Sequence, residues 1–444
     1  MILPHLQQEN VYTIPAGEYF GKEAKACFLV YAPLHDLSFI ASPEKVAELE
    51  ALAAQHALPL QQTEASLKAA EHLRREPRPE EITSIFLIPN ERCNFHCQYC
   101  YSAKGRCKDE ISEADMKVMV DKVIQNAEHQ PDKKISIAFL GGGEPLLSWD
   151  FVTKTVHYAQ EQAAAHGIRS FFSLSTNGSL LTESIISFML EHKMSVQISY
   201  EVLPDVQDAQ RGQAAKVDAN VRMLIDQGIV PVFRSTITAL NVRRMEEMVE
   251  YCHQRYPEIK KLALEPVVDM DTFTTVEALQ DFFLIYEQNF AQADTLAQQH
   301  GIELLNSSCG RLTHLKNRFC SPMYCLTPFG TLMDCPNVTT PHESGYFASV
   351  YGMIHEGEVV VDPEAFGRIM QDYTRSDATC AQCWAKWNCG GGCRSQRLVY
   401  PPEQFAIICQ YRKKHLFRDL MASIARQYKE ETGEDFVESI AAQL

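Results

Sequence analysis

No stretch of this 444-residue chain is apolar for the roughly 20 residues that a membrane-spanning helix needs. The start, Met1-Ile2-Leu3-Pro4-His5, has neither a basic segment nor a long apolar run, so no secretory signal is expected. Positive charge is also short. Lys and Arg number 41 against 57 Asp and Glu, a formal charge of −16. A diffuse negative field opposes phosphate binding, so neither nucleic acid nor an anionic membrane is expected as a partner. A phosphate-binding glycine loop, a helical metalloprotease motif and a dinucleotide glycine signature are all missing, which leaves three common enzyme classes without support. Apolar residues make up 45% of the chain, ordinary for a globular protein of two or three domains. The expected location is the cytoplasm.

What the chain has in plenty is cysteine, 15 in all. Most fall in two patches, 93–107 and 309–409. In a reducing compartment disulfides are not expected, and clustering at short spacings favours metal clusters. The first patch opens with Cys93-Asn94-Phe95-His96-Cys97-Gln98-Tyr99-Cys100, a C-x3-C-x2-C loop. The run Ile82–Pro89 before it is apolar and β-branched and reads as a buried strand. Thiolates this close cannot easily pair without strain, but they can share one inorganic cluster. A cubane of four irons needs four ligands, and the loop offers three. The competing reading is a zinc site or a redox-sensing thiol group, although zinc usually takes paired C-x2-C elements.

From about 82 to 305 the pattern alternates. Strand-like runs are Ile82–Pro89, Ile135–Leu140, Phe171–Ser175, Val196–Tyr200, Val230–Thr238 and Leu262–Val268. Helix-like stretches lie between them: Ser112–Ala127, Trp149–His166, Glu183–His192, Val217–Gln227 and Val242–Tyr256. Such alternation predicts a parallel sheet with crossover helices, its sites at the C-terminal strand ends. A packing helix over Val276–His300 leads out. Residues 1–80 read as a small α+β unit, with strands at 27–34 and 37–40 and a helix begun by Ser42-Pro43-Glu44. Such a unit could dock a peptide on a sheet edge or simply cap the barrel. Glu71–Glu81, charged and with two prolines, reads as a linker.

The cysteine loop resembles that of the radical S-adenosylmethionine superfamily. The resemblance implies a partial (β/α)6 barrel over 81–305 and a 4Fe-4S cluster on Cys93, Cys97 and Cys100. Its open iron would chelate S-adenosylmethionine, whose reductive cleavage yields a 5′-deoxyadenosyl radical. It further implies that Gly142, Gly143 and Glu144 bind the methionine amino group. Ser175 and Asn177 would lie near the adenosyl moiety, and Ser199 and Arg211 would contact the cofactor. Arg234 could serve, like Arg211, as a carboxylate partner. Relatives usually carry Asp-Gly after the fourth strand, where this chain has Glu201-Val202. No residue is singled out as catalytic acid or base.

In the second patch Cys320 is followed at fixed spacing by Gly330 and Cys335, then by Cys380-x2-Cys383-x5-Cys389-x3-Cys393 and Cys409. This is similar to the seven-cysteine pattern of the SPASM domain, which houses two auxiliary iron–sulfur clusters. The resemblance assigns Cys320, Cys335 and Cys393 to the first and Cys380, Cys383, Cys389 and Cys409 to the second. For the missing ligand of the first, Cys325 is favoured for its short separation, then Cys309, then an open iron. The SPASM region is expected over 306–412 and a helical tail, including Ala422–Tyr428, over 413–444.

The function implied is a peptide maturase. It would oxidatively modify a ribosomally made precursor peptide, forming a carbon–carbon or thioether crosslink, with a flavodoxin- or ferredoxin-type electron donor. The alternatives are a formylglycine-forming sulfatase activator or, further off, a peptide epimerase. In the activators an aspartate commonly follows the cysteine matching Cys335, and here Pro336 follows it.

Overall fold

Alternating side chains on the strands decide which face of the main sheet is closed and which is open. On β6 (Arg169–Thr176), β7 (Ser195–Ser199) and β8 (Val232–Ile237), one row is Phe172, Leu174, Val196, Ile198, Phe233 and Ile237. These are buried in one cluster with Val217, Val221 and Leu224 of the helix Ala214–Asp226. The opposite row is Ser173, Ser175, Gln197, Ser199, Arg234 and Thr236, all only partly buried. Parallel sheets are usually apolar on both faces. A polar second face therefore marks a lined interior.

The computed structural model describes residues 3–20, 26–60, 67, 73, 75–268, 272–306, 312, 315–343, 345–374 and 378–443. The expected strands are all present: β4 (Ser84–Leu87), β5 (Lys134–Phe139), then β6, β7, β8 and β9 (Lys261–Pro266). Neighbours in sequence are neighbours in the sheet, and all these pairs are parallel. The helices Glu113–Glu128, Trp149–Ala165, Glu183–Glu191, Ala214–Asp226 and Met245–Arg255 make the crossovers. Val276–Gln299 follows β9. The fold is thus the expected α/β partial barrel, left open at both ends of the strand order.

The sheet is larger than expected. A short β10 (Glu303–Leu305) adds to β9 at one end. At the other end β11 (Tyr324–Leu326) pairs with β4 in parallel, Cys325 opposite Phe86. From β11 an antiparallel meander runs through β12 (Thr331–Met333), β13 (Val350–His355) and β14 (Glu358–Val361). The cysteine-rich region is therefore continuous with the barrel sheet. A helix from Pro402 to Thr432 carries Cys409 and runs unbroken across 412–413, where a separate tail was expected.

The N-terminal unit is a three-stranded antiparallel sheet of β1 (Tyr12–Pro15), β2 (Phe28–Ala32) and β3 (Leu37–Ala41). The helix Pro43–Ala54 begins as expected, with the Ser42 hydroxyl accepting from Lys45 N–H at 3.3 Å. One sheet face packs on this helix through Val30, Ala32, Val46 and Ala53. The other, through Ile14, Leu29 and Tyr31, packs on Leu420, Met421 and Phe436. Tyr31 OH donates to Asn388 Oδ1 at 2.7 Å, and Trp387 Nε1 donates to Asn10 Oδ1 at 2.9 Å. The unit thus covers the cysteine-rich region, not the barrel. Of the expected linker, residues 73 and 75–81 are described.

Ile198 is fully buried between sheet and helices, whereas Val230 is 50% exposed. Ile198→Ala should cost about 2–5 kcal/mol and Val230→Ala no more than about 0.5 kcal/mol, read as shifts of the denaturant midpoint.

Candidate functional site

The cysteine loop has no helix or strand of its own, so its shape comes from what grips it. The glycine strip after β5 lies alongside its first residues. Gly143 N–H donates to Asn90 O at 3.0 Å and Glu144 N–H to Arg92 O at 2.7 Å. A Cβ on Gly143 would stand 1.8 Å from Arg92 O, and one on Gly142 would stand 2.6 Å from Glu91 Oε2. The close approach that needs glycine is thus to the cysteine loop itself. The Asn90 side chain ties back to Glu144 O at 3.1 Å and Ser148 Oγ at 2.8 Å. On the far side Asn177 Nδ2 donates to Asn94 Oδ1 at 2.9 Å, and Asn94 Nδ2 to Ser179 Oγ at 2.8 Å. Gln98 N–H donates to Gln210 O at 3.1 Å.

The three thiols share one polar pocket. Cys93 and Cys97 each lie in the field of the other loop cysteines, and burial pushes both thiols up. Each sulfur has a donor: Phe95 N–H at 3.4 Å from Cys93, Arg211 Nη1 at 3.8 Å from Cys97, Arg106 Nη2 at 3.6 Å from Cys100. Three thiols with N–H and guanidinium donors on their sulfurs fit the ligand set of an anionic iron–sulfur cluster.

Two buried carboxylates brace this pocket. Glu144 is 2% exposed. It accepts from Thr176 Oγ1 at 2.6 Å, Asn177 N–H at 2.8 Å and Leu146 N–H at 3.1 Å. Burial raises its pKa and these bonds oppose the rise. Both oxygens are thus engaged by the protein, and the side chain joins the glycine strip to the end of β6. The second is Glu201, noted in the sequence only as a departure. It is fully buried and accepts from Arg211 Nε at 2.5 Å, Ser235 Oγ at 2.5 Å, Thr236 N–H at 3.0 Å and the Tyr99 hydroxyl. The Arg211 guanidinium lies over the Tyr99 ring, 5.2 Å from its centre. Val202 takes φ +67°, and Leu203 N–H closes a tight turn onto Glu201 O at 2.7 Å. The left-handed backbone that a glycine would favour is thus present with a β-branched residue, a strained arrangement. The usable signal was the pairing of an aromatic before the last cysteine with an acid after the fourth strand.

The radical SAM superfamily model matches residues 87–254, the span that contains this loop, the glycine strip and both braces. These residues are a radical SAM domain. The chain is similar to a radical SAM cyclopropyl synthase, TigE of Paramaledivibacter caminithermalis, 30% identical over 28% of this chain and 28% of its own. A cysteine-type anaerobic sulfatase-maturating enzyme of Clostridium novyi is 22% identical over 33% of this chain and 41% of its own. The chain therefore spans well under two thirds of these curated relatives. Among solved structures, native anSMEcpe with bound AdoMet superposes with a TM-score of 0.58 at 18% identity, over 76% of this chain and 98% of that one. Streptococcus suis SuiB bound to precursor peptide SuiA gives 0.51 at 13% identity, over 85% and 94%. Both share the fold.

On the polar face of the radical SAM domain, Ser175 and Ser199 are half-buried, and Ser199 stands in register with Arg234. Arg234 donates to Gln197 Oε1 at 3.3 Å and pairs with Glu265 at 3.5 Å, its side chain 41% exposed. Arg211 also reaches Thr236 Oγ1 at 3.4 Å and is 10% exposed, so Arg234 is the more open of the two arginines.

The second patch approaches the domain from β11 and β12. Cys320, Cys335 and Cys393 lie in one another's fields, and burial pushes Cys320 up to about 12. Asp334 and Arg394, the neighbours of Cys335 and Cys393, form a buried pair at 3.0 Å that clamps the two chain segments. Cys383, Cys389 and Cys409 form a second set, and Cys383 N–H donates to Cys380 O at 3.1 Å. Gly390, Gly391 and Gly392 all take positive φ. A Cβ on Gly390 would lie 2.4 Å from the Arg318 carbonyl carbon.

Cys325 does not join the first set. It is fully buried with Ile88, Met333, Val338 and Tyr346, and no cysteine is among the groups that act on its thiol. Strand pairing is the reason: β11 is locked between β4 and β12, which fixes where Cys325 points. Cys309 lies outside the described residues. Cys27 and Cys252 are buried thiols, and Cys107 is partly buried.

The two patches touch. A Cβ on Gly105 would stand 2.2 Å from Thr340 Oγ1, and one on Gly141 of the glycine strip 3.0 Å from Pro336 O. Tyr101 lies in the fields of both Cys100 and Cys335; desolvation pushes its phenol far up although the ring is 49% exposed.

Gly143→Ala should destabilise by about 1–3 kcal/mol and lower the iron retained after anaerobic reconstitution. Gly367→Ala, in the helix Pro363–Thr374 with nothing within 4 Å, should stabilise by up to about 1 kcal/mol and leave iron unchanged. Iron analysis of Cys325→Ala should match the wild type, whereas Cys335→Ala should fall below it.

Proposed function

We propose that this protein is a radical SAM maturase that oxidatively modifies a ribosomally made peptide. The observation that carries the reading is the close approach of the two cysteine patches, where a Cβ on Gly105 would lie 2.2 Å from Thr340 Oγ1. Cys93, Cys97 and Cys100 would hold the cluster that, with S-adenosylmethionine, supplies a carbon-centred radical able to take an unactivated hydrogen. Cys320, Cys335 and Cys393, and separately Cys380, Cys383, Cys389 and Cys409, would hold two auxiliary clusters. An electron acceptor beside the radical site suits a net oxidation, in which the substrate radical gives up a further electron.

The protein's own groups bind and orient. Arg106 and Arg211 offset charge at the sulfurs, and Glu201 fixes Arg211. Arg234, Gln197 and Ser199 offer polar groups to a cofactor carboxylate or a peptide on the open face of the sheet. Among the described residues β3 has no strand partner on its outer edge, so a peptide segment can add there as a further strand. Electrons would come from a flavodoxin- or ferredoxin-type donor.

A second reading, formation of formylglycine in a sulfatase, is favoured by the likeness to sulfatase-maturating enzymes. Against it, the residue after Cys335 is Pro336, which has no carboxylate to act as base.

The test is anaerobic co-expression with candidate short precursor peptides encoded near this gene. A parallel variant has Cys93, Cys97 and Cys100 all changed to Ala. A peptide lighter by a pair of hydrogens with the intact protein alone is the expected result, together with 5′-deoxyadenosine. An unchanged peptide but a converted sulfatase cysteine or serine would move the assignment to formylglycine formation. Absence of 5′-deoxyadenosine would reduce the protein to an electron carrier.

A further inference from the structure

Charge in this chain is segregated. Residues 309–335 and 380–414 hold nine Lys and Arg against two Asp and Glu, although the whole chain has a formal charge of −16. These segments carry the second cysteine patch. Part of their positive charge is internal. Arg394 is buried in its pair with Asp334. Arg412 is 1% exposed, its guanidinium 5.5 Å from the centre of the Phe319 ring. The rest reaches the surface: Lys316, Arg318, Lys386 and Lys413 are all partly exposed.

Short distances gather these four around one strip of backbone. Lys316 N–H donates to Trp387 O at 2.7 Å. The Lys316 ammonium stands 4.4 Å from the centre of the Phe319 ring, the ring that Arg412 also covers, and donates to Phe319 O at 3.4 Å. The Lys386 ammonium stands 4.8 Å from the centre of the Trp387 ring. Gly390 N–H donates to Lys386 O at 2.9 Å, and a Cβ on Gly390 would lie 2.4 Å from the Arg318 carbonyl carbon. Lys413 follows Arg412 on the helix Pro402–Thr432, one turn past Cys409. Cysteines of the patch lie beside every one of them: Cys320 follows Phe319, and Cys389 stands between Trp387 and Gly390.

Positive charge here can offset anionic clusters or meet a partner. The buried Arg394 and Arg412 serve the first purpose. Lysines seated on aromatic rings at the surface serve the second, because a packed stem leaves the ammonium little freedom to lose on binding. Among the described residues no carboxylate pairs with Lys386 or Lys413. Glu76 acts on Arg318, and Glu81 is engaged by Arg75 and Arg78, each at 2.6 Å. In the first patch the arginines are engaged locally. Arg106 donates to Phe95 O at 2.7 Å and to Cys100 Sγ at 3.6 Å, and Arg92 pairs with Glu110. The surface charge is thus concentrated at the second patch.

An electron passed to the second patch at each turnover has to leave again, which requires a carrier able to approach the same strip. We propose that Lys316, Arg318, Lys386 and Lys413 form the docking face for an acidic one-electron carrier protein of the flavodoxin type, which takes that electron away. The inference rests on the maturase reading, since it needs redox-active clusters in the second patch. In the step a reduced cluster loses one electron, and the oxidised flavin gains it with one proton from water to become the neutral semiquinone.

The test uses the full chain with Cys93→Ala, Cys97→Ala and Cys100→Ala, so that only the second patch holds iron. This protein is reconstituted, reduced with dithionite, desalted without oxygen and mixed with oxidised flavodoxin. Semiquinone absorbance gives the second-order rate. Lys386→Glu and Lys413→Glu together should slow it about tenfold or more, with iron content unchanged, and added salt should slow the unsubstituted background likewise. Lys216→Glu, exposed on the barrel helix Ala214–Asp226, should leave the rate as it was. An equal rate in the doubly reversed protein, or a rate indifferent to salt, would overturn the docking face. So would a slower rate accompanied by lost iron, which would make these lysines supports of the clusters. Retained iron with no semiquinone would overturn the flavodoxin-type carrier. Absence of iron from the second patch would overturn the maturase reading, and the inference with it.

Discussion

Two buried carboxylates hold the site in shape. Glu144 and Glu201 lie under the cysteine loop with their oxygens occupied by hydrogen-bond donors. An ionised carboxylate away from water is tolerable only when satisfied in this way. The constraint works in both directions. The loop supplies Tyr99 to Glu201, and Glu201 in turn aims Arg211 at Cys97. Loss of either acid would strand several donors at once, so the brace stands or falls as a unit.

Much of this was legible in the chain. The strands β4–β9 and the crossover helices appear where alternation and apolar periodicity put them, because a half-buried strand and an amphipathic helix each write a period into the sequence. The parts that escaped have physical reasons. Strands β10 and β11 are three residues each, too short to carry a period. The helix Pro402–Thr432 was visible only over 422–428, since its buried face includes Gln404, Arg412 and His415 and so does not read as apolar. Cys325 looked like a ligand by proximity in sequence, but strand pairing decides direction and proximity does not. Glu201 was visible as an oddity without a role, because a buried acid is understood only once its partners from β8 and the cysteine loop are beside it.

The N-terminal unit shows the same limit. Its strands and the Ser42 cap were readable, yet where it docks was not, because the contact runs through Tyr31, Asn388, Asn10 and Trp387, residues hundreds of positions apart. Local signals specify elements, and docking is a property of pairs.

The parallel pairing of β11 with β4 has a mechanical consequence. Domains joined by a linker can hinge, and the gap between their contents varies. Here the cysteine loop follows β4, and Cys320 and Cys335 flank β11 and β12 in the same sheet. A strand pair cannot slide a little: a one-residue slip turns every side chain to the wrong face, and the next permitted step is about 7 Å. The sheet therefore acts as a ruler, and whatever the cysteine loop and the Cys320–Cys335 segment hold is kept at one separation. Adjustment during a reaction cycle falls to what enters between them.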